Sequence, residues 1–481
     1  MRGVMSVVLA ASLSTGCAAL QPTKARAEVS DMVATRVGVD DAISLEVVKD
    51  SRERVQARVA ELLEHPLSLD DALRLALLNN RRFQAKLEAL GIAQADLVEA
   101  GLLENPVIAG DFVISSLGNG FGGGLSLSQS LLSVFLIPAK RRIAKARLGQ
   151  TVVQVGQQAL VLSRDVKLAY VGVQAAAARL EIQRGLTQAA EVSDELSARQ
   201  FEAGNIAPLD RELFAAAFDE ARLALADAEL ELVVAREQLN RELGLWGGDL
   251  AWTLAHSLAE IPASEATLSD LEQRGIRDRL DLSAARFEVA SMQAAIRLRR
   301  AGVVPQLEAG VEARNEVGDD VGHEWVIGPS LSLELPIFNP GHADFARLQA
   351  TLRQAQHYAQ GLAIDARSEI RVGRERLVTA RRKVEYYRGT VLPRVESIVA
   401  LSLERYNGMQ IGTYQLLEAR ADLFRSRREY VDALTEYWEA RGELELAIGG
   451  DLTRDNSAPG PVLDDGAPRG SSVRVRDLGS M

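Results

Sequence analysis

The chain has 481 residues, of which 47% are hydrophobic, 25% are charged and only 5% are aromatic, and its net charge is −11 with a pI near 5.3. Nucleic-acid binding needs a basic surface, so this acidic balance argues against it. After residue 20 no stretch reaches about 18 consecutive apolar residues, which excludes a membrane-spanning helix and leaves strands as the only means of crossing a bilayer.

The N-terminus predicts a signal peptide over residues 1–16 and a lipid anchor at Cys17. A short basic start and an apolar run lead into Ser14-Thr15-Gly16, and small residues directly before a cysteine are typical of bacterial lipoprotein processing. The alternative is an ordinary cleavage, for example after Ala27, that would discard Cys17. This cysteine is the only one in the chain, which leaves neither a disulfide framework nor a thiolate metal site. Residues 17–65 then predict a weakly helical N-terminal extension.

Three sequence anchors recur in the same order about 200 residues further along the chain. The anchors and their later counterparts are Leu69-Asp70-Asp71 and Leu268-Ser269-Asp270, Leu125-Ser126-Leu127 and Leu331-Ser332-Leu333, and Phe201-Glu202-Ala203 and Tyr406-Asn407-Gly408. Their spacings of 199, 206 and 205 residues indicate two structural repeats, residues 66–250 and 265–450. Each repeat predicts a short helix, a medium helix, two strands, a very long helix, a turn and a final helix.

Alternation of apolar and polar residues predicts two strands in each repeat, within residues 106–133 and 305–338. The alternation is clearest from 306 to 314 and from 324 to 335. Segments of about ten residues with one apolar face suit tilted membrane-spanning strands, and the alternative is a hairpin that covers a soluble core. The smallest known barrels have about eight strands, so four strands would need those of other subunits, and three chains would supply twelve.

Long stretches without proline predict unusually long helices. One runs from Ala139 to about Ala203 and another from His342 to Thr390. At 1.5 Å per residue the first would extend roughly 97 Å, and its alanine- and leucine-rich composition suits lateral packing in a coiled coil. Residues 452–481 are rich in Asp, Gly, Pro and Ser and predict a disordered tail.

Motifs for enzymatic chemistry are lacking. The five histidines show no zinc-binding spacing, and no GxSxG sequence occurs. A GxGxxG match within 118–124 lies between two predicted strands, whereas a dinucleotide site needs a strand followed by a helix. We therefore expect neither catalysis nor a cofactor nor a metal site.

The duplicated plan and its motifs resemble the TolC-like outer-membrane efflux family over residues 66–450. The segments that carry the resemblance are Leu69–Asn80, Arg279-Leu280-Asp281-Leu282, Leu331–Phe338 with Asn339-Pro340-Gly341, and Arg405-Tyr406 through Leu416-Leu417-Glu418-Ala419-Arg420. Two positions depart from the family pattern, since Arg81 and Leu280 stand where the family usually has proline. No single motif is specific, but the ordered set is.

The resemblance implies a mainly α fold with a small β part, in which a long α-helical barrel continues a transmembrane β-barrel. It also implies a homotrimer that docks onto a periplasmic adaptor and an inner-membrane pump and serves as a passive duct from the outer membrane through the periplasm. The alternative is a periplasmic scaffold or adaptor with long helices and no membrane barrel. The strand alternation favours the channel.

The resemblance also assigns roles to individual residues. The adaptor-docking tips of two helical hairpins are Gly204, Asn205, Ile206, Pro208, Gln410, Ile411, Gly412 and Thr413. Gly204 and Gly412 are expected to permit the tight turns, and Pro208 to open the returning helix. A pore constriction is expected at Tyr414 and Glu418, which share a helix face, with Asp422 continuing it, although a packed tyrosine and solvated carboxylates are the alternative. Trp325 is expected in an interfacial aromatic girdle or in buried packing.

Overall fold

The computed structural model shows long helices joined to one small sheet. The residues that it describes are 22–39, 51–114, 121–130, 133–265, 268–301, 307–316, 324–333, 337–338 and 340–454. Two helices, α1 (Thr23–Val37) and α2 (Ser51–Leu63), come before the first repeat. That repeat consists of α3 (Leu69–Asn79), α4 (Arg81–Glu99), β1 (Val107–Ile114), β2 (Phe121–Ser130), α5 (Ser133–Glu202) and α6 (Pro208–Leu243).

The second repeat has the same order of elements. It consists of α7 (Leu271–Asp278), α8 (Leu280–Ala301), β3 (Leu307–Glu316), β4 (Glu324–Leu333), α9 (His342–Tyr386), α10 (Leu392–Asn407) and α11 (Thr413–Ile448). A π-helical turn at Tyr387–Val391 joins α9 to α10 without a break in the helix. The predicted order of elements is confirmed in both repeats.

The junction between α3 and α4 shows how local sequence sets the helix ends. Ser68 caps α3 and Asn80 caps α4, each by accepting a hydrogen bond from the backbone N–H three residues later. Asn79 donates its side-chain amide to the carbonyl of Leu243, at 3.1 Å, and Asn80 donates to the carbonyl of Glu242, at 2.8 Å. The Asn-Asn pair therefore ends one helix, starts the next and fixes both to the end of α6.

The two returning helices end in equivalent glycines. Gly244 follows α6 with φ 70° and Gly449 follows α11 with φ 84°, both in the left-handed region that favours glycine. A Cβ on Gly244 would lie 2.8 Å from the carbonyl oxygen of Asn79, and one on Gly449 would lie 2.9 Å from that of Asp278. Each returning helix thus presses its end against the junction of the two short helices of its own repeat.

Helix α5 has 70 residues, which corresponds to roughly 105 Å at 1.5 Å per residue. It begins at Ser133, six residues before the predicted start, and includes Pro138. Pro138 is the sixth residue of the helix, past the first turn, so it removes the hydrogen bond that an N–H there would donate to the carbonyl of Val134, and the helix nevertheless continues. Small residues let neighbours approach α5, as where Gly149 faces the ring of Phe287.

The four strands form one antiparallel sheet in the order β1-β2-β3-β4. The β2–β3 pairing joins the two repeats, for example at Leu127 opposite Val311. Within the described residues, β1 and β4 each pair on one side only, so the sheet of a single chain has two open edges. The strands lie within the predicted ranges.

Buried Arg36 connects α1 to the second repeat. Its side chain is 4% exposed, and its Nη1 donates to the carbonyls of Asp278, at 2.6 Å, and Gly449, at 2.7 Å. Burial lowers the pKa of the guanidinium, and the nearby Asp278 carboxylate opposes that shift. The predicted N-terminal extension is therefore packed against the body of the protein at least over α1, which also contacts α4 and α5.

Among the described residues no helix is both long enough and apolar enough to cross a membrane.

Candidate functional site

The first hairpin tip, between α5 and α6, turns at Gly204. This glycine has φ 75°, its N–H donates to the carbonyl of Phe201 at 2.9 Å, and the N–H of Asn205 donates to that of Gln200 at 2.8 Å. These two bonds close the end of α5 in a left-handed cap. Pro208 then opens α6 at its first turn, as predicted.

The second tip, between α10 and α11, repeats this geometry with a different residue at its turn. The N–H of Met409 donates to the carbonyl of Tyr406 at 2.9 Å, and the N–H of Gln410 donates to that of Arg405 at 2.8 Å. Met409 stands 205 residues after Gly204, the spacing of the repeat, and has φ 55°. A methionine therefore occupies the left-handed position that glycine fills in the first tip, and its side chain is 94% exposed.

The expected role of Gly412 in this turn is wrong. Its φ of −84° and ψ of 167° are extended, a conformation that any residue adopts. Gly412 instead precedes α11, and its N–H donates to the side-chain oxygen of Gln415 at 2.9 Å. Proximity to the turn suggested Gly412, whereas alignment of the repeats would have identified Met409.

An aromatic contact joins the two tips. The ring of Phe214, in the second turn of α6, meets the ring of Tyr414 edge to face, with centroids 6.1 Å apart and planes at 69°. Phe214 is 7% exposed, whereas Tyr414 is 55% exposed. The two hairpins therefore end side by side although Phe214 and Tyr414 are 200 residues apart in the sequence.

The three candidate constriction residues differ in their surroundings. Tyr414 packs against Phe214 on one side and is otherwise open, and Glu418, one turn later, is exposed. Asp422 forms an ion pair with Arg425 at 2.7 Å, which neutralises part of the charge of the Asp422 carboxylate. Glu418 is therefore the better candidate for an unneutralised carboxylate on this helix face.

Above the tips, the connection between the repeats is held against the helices by Glu265. This carboxylate accepts hydrogen bonds from Tyr437 and from Arg381, the latter at 3.0 Å, and forms an ion pair with Arg441 at 3.4 Å. Burial, reinforced by the hydrogen bond to Glu265, raises the pKa of Tyr437 to about 12. The cluster fixes the connecting segment to both α9 and α11.

At the opposite end of the molecule, the sheet has one apolar and one polar face. The strand register aligns Ile108, Leu127 and Val311 in one row and Phe112 and Trp325 in another row of the same face. The other face carries mainly small polar and charged side chains, among them Asp111, Ser126, Ser128, Glu308, Glu312, Arg314, Ser330 and Ser332. The alternation read from the sequence thus yields two chemically distinct faces.

Trp325 lies near the end of the sheet that is remote from the helices. It is 59% exposed, so packing within the chain does not bury it. Cys17, the signal peptide, residues 455–481 of the predicted tail, residues 118–120 of the glycine-rich segment and Asn339 lie outside the described residues. Within the described part of the chain, no group of three histidine, cysteine or acidic residues is arranged to hold a metal ion.

Sequence reasoning missed two residues of the tips, Met409 and Phe214. The 205-residue spacing could have identified Met409, since it aligns this residue with Gly204. Nothing in the local pattern distinguishes Phe214 from the other apolar residues of α6, because its partner lies on another hairpin.

Comparisons with known proteins agree with this architecture. The sequence pattern of the family described as outer membrane efflux protein matches residues 72–245 and 273–450. The cobalt-zinc-cadmium resistance protein CzcC of Cupriavidus metallidurans is 23% identical over 396 residues, which cover 80% of this chain and 90% of CzcC.

Two solved structures share the fold. The CmeC outer membrane channel of Campylobacter jejuni superposes with a TM-score of 0.65 at 16% identity, covering 85% of this chain and 88% of CmeC. The open state of the MtrE outer membrane channel of Neisseria gonorrhoeae gives 0.62 at 16% identity, covering 81% of this chain and 91% of MtrE.

Proposed function

The chain belongs to the outer membrane efflux protein family, and we propose on that basis that three copies form a continuous export duct that binds a periplasmic adaptor and an inner-membrane pump. As a member of this family, the chain is an outer-membrane channel component of an efflux system that projects into the periplasm, and it is not an enzyme. Nothing favours the alternative of a periplasmic scaffold.

The observation that carries the proposal is the two-faced sheet with open edges. Within the part of the chain that the structure describes, the outer edges of β1 and β4 have no strand partner. Their free backbone groups would be costly in a bilayer, where no water replaces the missing hydrogen bonds. Pairing of β4 with β1 of the next copy would close twelve strands around a lumen. The apolar face would then meet lipid and the polar face would line the passage.

Length supports a duct that spans the periplasm. Helix α5 alone extends roughly 105 Å, and it leads from the sheet to the first tip. The two tips lie together at the far end, where an adaptor would dock. We assign the docking surface to the predicted tip residues together with exposed Met409, namely Gly204, Asn205, Ile206, Pro208, Met409, Gln410, Ile411, Gly412 and Thr413.

We assign the narrowest part of the duct to the helix face that carries Tyr414, Glu418 and Asp422. Three copies of Glu418 would form an acidic ring, and charged rings of this kind favour ions of the opposite sign. Two carboxylates on the polar face of the sheet, Asp111 and Glu308, extend the acidic lining towards the outside, whereas Glu312 on that face is paired with Arg314 at 2.6 Å. We propose divalent metal cations as cargo, a choice supported by the name of the similar CzcC.

The membrane boundaries follow from the same arrangement. Trp325 would sit in the aromatic girdle at the outer surface, since its ring is exposed on the apolar face. Lipid at Cys17 would anchor the inner side. Arg26 of α1 pairs with Glu88 at 3.1 Å, and Glu88 lies roughly 16 Å before the end of α4. Five residues lie between Cys17 and the start of α1 at Thr23, so the six steps along the chain can span at most about 21 Å.

Fractionation tests the assembly. Outer membranes from cells that express the chain are expected to give a trimer band on electrophoresis without boiling. Incorporation of a labelled lipid precursor is expected in the wild type and not in Cys17→Ala. A soluble periplasmic monomer would overturn the channel assembly, whereas a trimer that takes up no lipid label would overturn only the anchor.

Resistance measurements test the cargo. A strain that lacks this channel is expected to become sensitive to zinc, cobalt and cadmium and to recover with the wild-type chain. Glu418→Gln is expected to restore less resistance than Glu404→Gln, which removes an exposed carboxylate from α10 beside the same tip. Recovery of drug resistance without metal resistance would reject metal cations as cargo and leave the channel in place.

A further inference from the structure

An apolar collar surrounds the junction between the sheet and the helices. Each of its members lies where a helix meets a strand, and their exposed fractions range from 48% for Val134 to 100% for Phe338. The collar consists of Leu102, Leu103, Val134, Phe135, Ile337 and Phe338. The strand pairing places these junctions at one end of the sheet. Exposed apolar residues gathered in this way mark a surface that contacts a partner or a membrane.

Basic residues crowd the helix ends directly beyond this collar. Residues 92–104, 138–147, 293–301 and 340–347 together contain nine basic and four acidic residues, whereas the whole chain contains 55 basic and 66 acidic ones. The local excess of positive charge therefore runs against the acidic character of the protein. We name four exposed arginines of this cluster, Arg141, Arg142, Arg297 and Arg300, the basic belt.

Contacts between neighbouring helix ends fix two of the belt arginines close to the sheet. Arg141 approaches Gly101 at the end of α4, with its Cδ 3.3 Å from the position of a Cβ there, and Arg300 lies over the ring of Phe345 in α9 at 5.3 Å. Arg142 lies roughly 14 Å from the start of α5, and Arg297 lies roughly 6 Å from the end of α8.

Nearby acidic groups do not neutralise the belt. Glu104 pairs with Lys140 at 3.1 Å, and Asp344 pairs with Arg299 at 3.4 Å and Arg347 at 3.0 Å, so these two carboxylates are occupied by basic residues outside the belt. Asp96 and Glu99 remain exposed near the end of α4. Among the described residues of these helix ends, the four belt arginines thus face two carboxylates, which leaves the belt with a net positive charge.

We propose that the basic belt binds the phosphate groups of anionic phospholipids in the leaflet that faces the periplasm. A bilayer has an apolar core of about 30 Å and a total thickness of about 40–45 Å, so its headgroup layer is several ångströms deep on each side. With the collar at the edge of the apolar core, the long arginine side chains reach that layer and can extend their charged ends into it. Guanidinium groups match phosphate in both charge and geometry.

The inference rests on the proposed position of the sheet in the membrane. It assigns lipid a specific role, which is to fix the depth at which the helical part leaves the bilayer. The two sources of support are independent, since the collar defines the plane by apolar exposure and the belt by charge.

Spin-labelled lipids provide the test. The purified full-length trimer is reconstituted in phosphatidylcholine vesicles with a trace of spin-labelled phosphatidylglycerol or phosphatidylcholine, and the motionally restricted fraction of each probe is measured. We expect the wild type to prefer phosphatidylglycerol by about fivefold, the factor that one basic residue near an anionic surface supplies. High salt should reduce this preference.

Two double variants decide whether the belt is responsible. Arg142→Gln/Arg297→Gln is expected to bring the preference below about twofold. Arg382→Gln/Arg394→Gln removes the same charge from exposed positions on α9 and α10, far from the sheet, and should retain the wild-type preference.

Equal association of both probes with the wild type, or an unchanged preference in the belt variant, would overturn the lipid site while leaving the membrane-inserted channel intact. A wild type that restricts neither probe would overturn membrane insertion and the lipid site together.

Discussion

The edge-to-face contact between Phe214 and Tyr414 is expected to hold the two hairpin tips together. Such a pair contributes about 1 kcal/mol beyond the burial of its surface, within a range of about 0.5–1.5 kcal/mol. One kcal/mol corresponds to roughly a fivefold change in an equilibrium constant. Loss of either ring should therefore increase local opening of the start of α11 by about that factor, in addition to the effect of lost burial at Phe214.

Amide hydrogen exchange of peptides from residues 413–421 measures this opening. The variants Phe214→Ala, Tyr414→Ala and the double variant form a thermodynamic cycle in which the contact appears as coupling. Phe218→Ala removes a ring one turn further along α6 and serves as the control, since the ring of Phe218 lies beneath Arg222. The double variant should exchange about fivefold more slowly than the product of the single effects predicts.

If the single effects simply multiply, the two rings do not stabilise each other and the reasoning fails. If Phe218→Ala opens the same peptides as much as Phe214→Ala does, the effect belongs to α6 as a whole.

Three further predictions concern the turns and the buried connection. Gly244→Ala should lower the free energy of unfolding of the purified protein by about 3 kcal/mol, because left-handed strain of about 1 kcal/mol adds to a collision of its Cβ with backbone that costs about 2 kcal/mol. Gly204→Ala, with a similar φ and open space, should lower it by only about 1 kcal/mol, and equal losses would contradict the close approach. Met409→Gly should remove backbone strain of about 1 kcal/mol, because Met409 has a left-handed conformation that glycine adopts freely, and should therefore slow proteolysis at the second tip. Faster cleavage would show that the conformation of Met409 is unstrained. Tyr437 favours its neutral form in the folded protein, so its contribution to stability is complete below pH 10 and is lost as the pH rises towards about 12. Tyr437→Phe should make the free energy of unfolding depend less steeply on pH over that interval. An unchanged pH dependence would reject burial and the hydrogen bond to Glu265 as the cause of the raised pKa.

The secondary structure followed closely from the sequence because its signals are local. Alternation with period two defined the strands between 306 and 314 and between 324 and 335, and the lack of proline defined the long helices. The error at the start of α5 arose because Pro138 resembles a helix boundary, whereas the helix begins five residues before it and continues past it.

The candidate site was predictable only in part. The positions of both tips followed from the repeat, and Gly204 and Pro208 have the local geometry expected of them. Gly412 does not, because the identity of a residue shows which backbone conformations it allows and not which one the turn requires. The roles of Tyr414, Glu418, Asp422 and Trp325 remain proposals.

By itself, the sequence determined the order of the elements, their approximate ends and the duplication, because each depends on residues a few positions apart or on a spacing that can be counted. Only the tertiary structure decided which residues meet across the repeats. Contacts such as Phe214 with Tyr414, or Arg36 with the ends of α7 and α11, join segments about 200 residues or more apart. Such contacts depend on the axial position and the rotation that each long helix adopts against its neighbours as they pack. A periodic pattern fixes which face of a helix is apolar, but not the level at which that face meets its neighbour.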